Sequence, residues 1–174
     1  MIGDKVLLRG LEPEDIDTLY AWENNPENWR VSNTTIPFSK HILLQYIQSV
    51  QDIYSDKQAR FIITSQLNNE VVGCVDLFEF EPQHQRVGIG VLIEQKYRGK
   101  GYAKEALKLI CHYAFDVLNV HQVYCNILES NAASIKLFEQ LGFMLCGTKR
   151  DWNLSGVEFE DEWIYQCFKS NLKG

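Results

Sequence analysis

The sequence predicts one α/β domain with a mixed β-sheet, spanning residues 1–174. Three observations support this fold class. Apolar residues change along the chain between the alternating period of strands and the 3–4 spacing of helices. The resulting order of elements is β-α-α-β-β-β-α-β-α-β-β, without repeats or linkers. A length of 174 residues suits a single domain with a sizeable core.

The first part of the chain predicts one strand and two helices. Residues 5–11 read KVLLRGL, a short strand, and Pro13 fits the first position of a helix that Asn24-Asn25-Pro26 ends. We expect residues 27–38 to form a loop. Ser39 can cap the second helix. The apolar residues of that helix recur at helical spacing: Ile42, Leu43, Tyr46, Ile47 and Val50.

The middle of the chain predicts three strands. RFIITSQ and VVGCVDLFEF are joined by Asn68-Asn69, which indicates a hairpin. The third strand, RVGIGVLI at 86–93, contains Gly88 and Gly90. Glycines inside a strand mark either a bulge or a close approach of the backbone to another group.

The last part returns to a helical period from Ala103 onward, followed by the strand HQVYCNIL at 121–128. Ser130 or Asn131 caps a shorter helix, which Gly142 ends. The remaining residues predict a final hairpin that turns at 153–156.

Composition narrows the classes of function. A formal net charge of -6 argues against a nucleic-acid binder and is compatible with a cationic substrate. No apolar run approaches the ~18 residues of a membrane span and no secretory signal is visible, so we expect a cytoplasmic protein without membrane partners. The five cysteines lack C-x-x-C spacing and the four histidines lack ligand-like spacing, which predicts reduced thiols and no metal.

A glycine-containing stretch carries the clearest functional signal. Residues 95–106 read QKYRGKGYAKEA, which places Gly99 and Gly101 between a strand and a helix. The stretch lacks the Lys-Ser/Thr pair of a P-loop and the third glycine of a dinucleotide-binding fingerprint. Unsatisfied N–H groups at a helix start, approached through glycines, still favour an anion. The alternative is a tight strand-to-helix turn with solvated cations.

A second motif indicates which anion this is. Residues 129–143 read ESNAASIKLFEQLGF. Together, Y-R-G-K-G-Y-A and N-x-x-S-x-x-L-F-E-x-L-G-F resemble the GNAT family of N-acetyltransferases over nearly the whole chain. The closest branch resembles the ribosomal-protein alanine and the spermidine/spermine N-acetyltransferases. This resemblance implies a single-domain GNAT fold, whose mixed and mostly antiparallel central sheet is flanked by helices and splayed between the fourth and fifth strands.

The resemblance also implies acetyl-CoA as the cosubstrate. The loop at 98–103 would hold the CoA diphosphate, and Lys104 would either screen the phosphates or stay solvated. The pantetheine arm would pair with the strand in the splay, where an N–H near Val91 could polarise the thioester carbonyl. Asn131 would contact the pantetheine or serve only as a helix cap. The implied cofactor-binding residues are Val91, Leu92, Ile93, Arg98, Gly99, Lys100, Gly101, Tyr102, Ala103, Asn131 and Ser134.

Ser134 is the predicted catalytic proton donor to the leaving thiolate. The polyamine branch carries a tyrosine as general acid at the position of Phe138, whose side chain has no proton to donate. Water, Tyr165 or Tyr102 are the alternatives. Because a thiol has a pKa of ~8.5, its thiolate is a fairly good leaving group even without an acid.

Glu79 is the predicted general base, and it is also a predicted substrate-binding residue. Many relatives carry an acid at the position of Gly88, so the remaining candidates lie on the preceding strand: Asp76, Glu79 and Glu81. We prefer Glu79 because strand alternation would place it opposite Phe78 and Phe80. The alternative is a solvated carboxylate.

The acceptor is less well defined by the sequence. Trp29 is a predicted substrate-binding residue, with Phe38 and Trp152 as further aromatics that could stack on a cation or pack in the core. The acids of 158–162 would line the acceptor entrance or stay solvated. We expect transfer to a primary amine, either a protein N-terminus or a small molecule, with a polyamine such as spermidine as the alternative. A non-catalytic acyl-CoA sensor is the alternative of another class, and a homodimer is expected from relatives alone.

Overall fold

The computed structural model describes residues 1–32, 34–49 and 52–173, apart from the side chains of Arg30 and Val31. Within these residues, seven strands form one sheet in the order β1-β2-β3-β4-β5-β7-β6. The β4–β5 pair is parallel and the other neighbouring pairs are antiparallel, which confirms the mixed, mostly antiparallel sheet. The strands are β1 (Val6–Arg9), β2 (Ala59–Ser65), β3 (Val71–Glu81), β4 (Arg86–Ile93), β5 (Gln122–Leu128), β6 (Met144–Ser155) and β7 (Glu158–Phe168).

Helices occupy the expected places between the strands, together with two short ones that the sequence does not predict, α2 and α4. The helices of the described residues are α1 (Ile16–Glu23), α2 (Pro26–Ser32), α3 (Lys40–Gln48), α4 (Ile53–Asp56), α5 (Tyr102–Asp116) and α6 (Ala132–Gln140). The chain forms two compact units: residues 11–51, and residues 1–10 together with 52–174.

The unit of residues 11–51 is helical. Pro13 begins a 3-10 turn that leads into α1, and Ser39 caps α3 by accepting a backbone hydrogen bond at 3.3 Å, both as predicted. The prediction of a loop over 27–38 is wrong for its first half, because α2 begins at Pro26. Proline lacks an N–H and its fixed φ suits a first helical position, so the residue that ends one helix also starts the next. Val50 lies outside the described residues.

The larger unit has one buried core between the sheet and helices α5 and α6. On β4 and β5, the core takes alternate residues: Val87, Ile89, Val123, Cys125 and Ile127. Because side chains alternate across a strand, Gly88 and Tyr124 face the opposite side of the sheet. Four of the five free cysteines are buried and Cys146 is exposed, as expected for reduced thiols.

A β-bulge lies in β3 rather than at the glycines of β4. Phe78 pairs with Gly88 and Glu81 pairs with Arg86, so two residues of β3 stand opposite one residue of β4. The predicted bulge near Gly88–Gly90 is therefore present beside Gly88, with its extra residue in β3, and a close approach at Gly88 accompanies it. A Cβ at Gly88 would lie 2.2 Å from the Cε2 atom of Phe78.

The bulge also changes the orientation of Glu79. This residue has a φ of 49°, in the left-handed region that L-residues rarely adopt. The prediction that alternation places Glu79 opposite Phe78 and Phe80 is wrong for Phe78, because both Glu79 and Phe78 contact Tyr124. It agrees with the structure for Phe80, which is buried in the core while Glu79 is exposed. The extra residue in β3 interrupts the period of two on which that prediction depends.

Candidate active site

The sheet splits between β4 and β5. The two strands pair over three residues each, from Arg86 opposite Gln122 to Gly88 opposite Tyr124. Beyond that point β4 runs on to Ile93 and β5 to Leu128 without pairing to each other. The expected splay between the fourth and fifth strands is thus confirmed, and Gly88 and Tyr124 mark its closed end.

Backbone N–H groups of β4 point into this split. The N–H of Glu94, which follows β4, donates to Val72 O at 3.0 Å and therefore points toward β3. Because N–H directions alternate along a strand, those of Ile93, Val91 and Ile89 point to the other edge, where β5 has diverged. The predicted contact residues Val91 and Ile93 thus present backbone donors to the split. Leu92 directs its backbone toward β3, which leaves its half-buried side chain for any contact.

The glycine loop has the backbone that its sequence predicts. Gly99 and Gly101 have φ values of 77° and 86°, and Gly101 is the N-cap of α5. A left-handed conformation at both positions favours glycine. No atom lies within 4 Å of a Cβ built at Gly99, so that face of the loop is open. Arg98 is exposed, and its Nε donates to Ile93 O at 3.1 Å, which ties the loop to the end of β4.

Neighbouring elements hold the loop in place. The buried Tyr97 donates its hydroxyl to Glu70 Oε2 at 2.9 Å, and the ammonium groups of Lys96 and Lys100 lie 4.7 and 5.3 Å from the centre of its ring. The Tyr102 hydroxyl and Ser65 Oγ are 3.3 Å apart. The start of α5 is therefore an ordered row of amides with exposed cations nearby, as an anion site requires.

The start of α6 lies at the same end of the split, because α5 follows β4 and α6 follows β5 in this parallel pair. Of the two predicted caps, Asn131 is the one used: its Oδ1 accepts from Ser134 N at 3.1 Å. Ser134 is half-buried, and within the described residues its hydroxyl makes no hydrogen bond. Crevices at the carboxyl ends of neighbouring parallel strands are common ligand sites.

The alternative tyrosine acids are placed differently from Ser134. Phe138 is 3% exposed and packs edge-on against Phe143, with ring centres 4.9 Å apart, so it belongs to the core. Tyr165 is 1% exposed and donates to Glu139 Oε1 at 3.2 Å, and burial raises its pKa above the ordinary phenol value. Tyr102 is the first residue of α5, within the glycine loop.

The three candidate bases on β3 differ in their partners. Asp76 accepts two hydrogen bonds from Arg60, at 2.7 and 2.8 Å, in a bidentate ion pair. Glu79 is exposed, and its Oε2 accepts a hydrogen bond from the Tyr124 hydroxyl at 2.5 Å. Glu81 is half-buried and lies opposite Arg86. Glu79 is thus the candidate that lies beside the closed end of the split.

Tyr124 is a residue that the sequence does not single out. Its pKa lies above the ordinary value, chiefly because the side chain is partly buried and then because it donates to Glu79. Its ring packs edge-on against Phe78, with centres 5.9 Å apart. The available signal was the alternation of the strand, which sets Tyr124 on the face away from Val123 and Cys125.

The acids near the end of the chain are mostly engaged in the structure. Glu162 accepts from Lys149 at 2.8 Å, Asp161 from Asp151 N at 2.8 Å and Glu160 from Ser130 N at 2.8 Å. These contacts join β7 to its neighbours. Glu158 is exposed.

The predicted acceptor aromatics have varied surroundings. Trp29 lies in α2, is half-buried and donates its indole N–H to Glu23 O at 2.6 Å. Phe38 accepts and donates backbone hydrogen bonds with the side chain of Asn24. Trp152 on β6 is exposed, with the Lys149 ammonium 5.0 Å from its ring centre.

Across the described ranges, no group of three or more His, Cys, Asp or Glu side chains is placed to hold a metal ion. None of the helices in that part of the chain has the length and apolar character needed to cross a bilayer.

Comparison with known proteins identifies the family of the chain. The family model for the acetyltransferase (GNAT) domain matches residues 5–144. The spermidine N(1)-acetyltransferase of Escherichia coli K12 is 30% identical over 142 residues, which cover 82% of this chain and 74% of that protein. The N-acetyltransferase p20 of Bacillus licheniformis is 29% identical over 98% of this chain and 97% of that protein. Among solved structures, the spermidine N-acetyltransferase of Vibrio cholerae in complex with CoA and spermine superposes with a TM-score of 0.87 and 21% identity, over 97% of this chain and 98% of that one.

Proposed function

The chain belongs to the GNAT family of N-acetyltransferases, and we propose that it transfers the acetyl group of acetyl-CoA to a primary amine by direct attack on the thioester. The observation that carries this proposal is the split between β4 and β5, with donors from β4 inside it and two helix starts at its open end. We also propose that the whole chain forms one catalytic domain, because the family match spans residues of both compact units.

The donor set of the glycine loop fits a diphosphate. The amides of the first turn of α5 lack partners within the helix, and the helix dipole adds positive potential there. The open face at Gly99 lets an anion approach the backbone closely. Arg98, Lys100 and Lys104 are exposed and bring positive charge to a chain whose net charge is -6.

The donors of β4 fit the amide-rich pantetheine arm. An extended ligand can pair with an open strand edge as an added strand would. The N–H of Val91 is then available to the thioester carbonyl, where a fixed donor stabilises the negative charge that develops on oxygen. Asn131 and Ser134 would face the same end of the ligand from α6.

Acetyl-CoA supplies the acetyl group, activated as a thioester. In the reaction that we propose, Glu79 takes a proton from the attacking ammonium group, directly or through a water. The Ser134 hydroxyl donates to the thiolate as the C–S bond breaks. Phe138 takes no part in proton transfer, because it is buried in the core and has no acidic proton.

The acceptor that we propose is a small-molecule amine or a protein N-terminus, and Glu79 is among the residues that bind it. A polyamine is the second candidate, because relatives from Escherichia coli K12 and Vibrio cholerae are spermidine N(1)-acetyltransferases. The Escherichia coli protein is 30% identical over 82% of this chain. A dodecameric structure of the Vibrio cholerae relative supports self-association, of which a homodimer is the simplest form. The five free thiols support a cytoplasmic location.

An acceptor screen tests the proposed function. Purified protein is incubated with acetyl-CoA and a panel of polyamines, amino acids, aminoglycosides and N-terminal peptides. Acetylated products are detected by mass spectrometry, since a thiol reagent would also label the exposed Cys146. Amine-dependent product supports the proposal. Calorimetric binding of acetyl-CoA without product from any amine would favour the sensor alternative, and no binding would refute both.

Two glycine variants test the diphosphate site. Gly99→Ala adds a Cβ to the open face of the loop at a φ of 77°, and Gly156→Ala adds one at the turn between β6 and β7 at a φ of 67°. Both introduce similar backbone strain, but only the first is expected to weaken acetyl-CoA binding, by about tenfold. Equal affinities in the two variants would place the diphosphate elsewhere.

Two further pairs of variants test the proton-transfer residues. Ser134→Ala should lower kcat with little change in acetyl-CoA affinity, whereas Ser130→Ala, in the turn before α6, should leave kcat unchanged. Glu79→Gln should lower the rate most at low pH, and Glu81→Gln on the same strand should not. If Ser134→Ala and Ser130→Ala have the same kcat, Ser134 has no role in the mechanism. If Glu79→Gln and Glu81→Gln have the same kcat, Glu79 has none.

A further inference from the structure

Three neighbouring strands bring side chains together over Gly88. Phe78 of β3 and Tyr124 of β5 are both register partners of this glycine. A Cβ at Gly88 would lie 2.2 to 2.6 Å from three atoms of the Phe78 ring, so only glycine leaves room for the ring. The ring of Tyr124 meets Phe78 edge-on at an interplanar angle of 82°. Tyr124 therefore reaches across β4 from the other side of the split.

The hydroxyl of Tyr124 contacts the carboxylate of Glu79. The Tyr124 hydroxyl donates to Glu79 Oε2 at 2.5 Å, between residues that are 45 positions apart in the chain. Glu79 stands in the bulge of β3 with a φ of 49°, a conformation that is unfavourable for a non-glycine residue. Strained backbone that aims a side chain at a ligand site is a common feature of functional positions.

The electrostatic surroundings keep Tyr124 a donor. Its pKa is raised first by burial and then by the bond to Glu79, while Arg86 of β4 acts in the opposite direction. The upward influences dominate, so the phenol stays protonated across the physiological range. The Tyr124 hydroxyl therefore remains available as a donor to Glu79.

We propose that Tyr124 is a positioning residue that holds the carboxylate of Glu79 at the closed end of the β4–β5 split, and this rests on the proposed acetyl transfer. The bond from Tyr124 occupies Oε2 and leaves Oε1 to take one proton from the incoming ammonium group. The freed lone pair on nitrogen forms the C–N bond, the C–S bond breaks, and the thiolate leaves with its electron pair and takes a proton from Ser134. The nitrogen then gives up a second proton, which restores the Ser134 hydroxyl, so the products are the amide and the free thiol with one proton on Glu79. Tyr124 itself neither gains nor loses a proton.

The experiment compares Tyr124→Phe with Tyr113→Phe. The first keeps the ring against Phe78 and removes only the hydroxyl. The second makes the same change in a half-buried tyrosine of α5 whose ring packs edge-on against Phe61, with centres 5.6 Å apart. With the best amine of the panel, Tyr124→Phe should lower kcat about tenfold at unchanged KM for acetyl-CoA. This loss is smaller than the about 10²–10⁴-fold contribution of a general base, because the Glu79 carboxylate itself remains. Tyr113→Phe should behave as the parent protein.

A double variant, together with the contrast between kcat and KM, separates positioning from a purely structural role. In a Glu79→Gln background, Tyr124→Phe should have almost no further effect on kcat, because the two residues act as one unit. Circular dichroism and the unfolding midpoint establish that each variant is folded.

Two failures are distinguishable. If the parent protein yields no acetylated amine, the proposed function is wrong and the role of Tyr124 falls with it. If the parent turns over while Tyr124→Phe keeps the parental kcat, or if its effect adds fully to that of Glu79→Gln, only the role of Tyr124 is overturned.

Discussion

The contact over Gly88 gives a prediction whose size follows from the coordinates. Gly88→Ala would place a Cβ 2.2 Å from Phe78 Cε2 and 2.6 Å from two further ring atoms. Real Cβ atoms do not approach so closely, so the ring must move. Its displacement disturbs the edge contact with Tyr124 and, through that ring, the hydrogen bond to Glu79.

The expected loss of stability comes from opposing terms. Overpacking a well-packed site costs about 1–3 kcal/mol, and a lost aromatic edge contact adds about 0.5–1.5 kcal/mol. Replacing glycine by alanine restricts the unfolded chain and returns about 0.4–1 kcal/mol. We therefore expect Gly88→Ala to lower the free energy of unfolding by about 2 kcal/mol.

Gly90→Ala is the matched control on the same strand. Its Cβ would meet Phe78 at 3.8 Å, an ordinary contact, so the variant should be as stable as the parent or slightly more stable. Urea unfolding followed by tryptophan fluorescence measures both variants, with unchanged m-values as the check on two-state behaviour. In a Phe78→Leu background the cost of Gly88→Ala should largely disappear. Equal stabilities of Gly88→Ala and Gly90→Ala would refute the close approach.

Three further predictions concern other tyrosines and the buried thiols. Tyr165→Phe removes a core hydroxyl that bonds Glu139, so we expect the free energy of unfolding, measured in urea, to fall by about 1 kcal/mol while kcat is unchanged. Loss of turnover would instead identify Tyr165 as the general acid. Tyr97→Phe frees the glycine loop from Glu70, so the KM for acetyl-CoA should rise severalfold at nearly constant kcat, and a constant KM would contradict this tether. Burial raises the pKa of Cys167 from 9.0 to about 11, so the folded state binds more protons in that range. Stability should therefore fall as the pH rises from about 9 to 11, with a shallower fall in Cys167→Ala.

Local patterns in the sequence were sufficient to predict the frame of the candidate site. Gly99 and Gly101 predict the loop because only a left-handed backbone there requires glycine, and both have positive φ values. Asn131 and Ser39 predict helix caps because their side chains bond N–H groups two or three residues away. Such interactions lie within one turn of chain, where sequence spacing and spatial distance agree.

The contents of the split were less predictable because they depend on long-range register. A single extra residue in β3 reverses the side on which Glu79 is expected, and no residue at 78–81 is a glycine that would signal it. Tyr124 joins Glu79 across 45 positions and one intervening strand. Pro26 likewise fits either the end of one helix or the start of another, and only the packing of residues 11–51 decides between them.

The three residue pairs that join β4 and β5 also affect how the sheet can bend. Fewer residue pairs join these strands than any other neighbouring strands of the described sheet. We therefore expect the sheet to bend most easily along the line through 86–88 and 122–124, which separates strands β1–β4 from strands β5–β7. The side chain of Tyr124 crosses this line, and its hydroxyl bonds Glu79 of β3. We expect this hydrogen bond to limit how far the two halves of the sheet can separate where they meet.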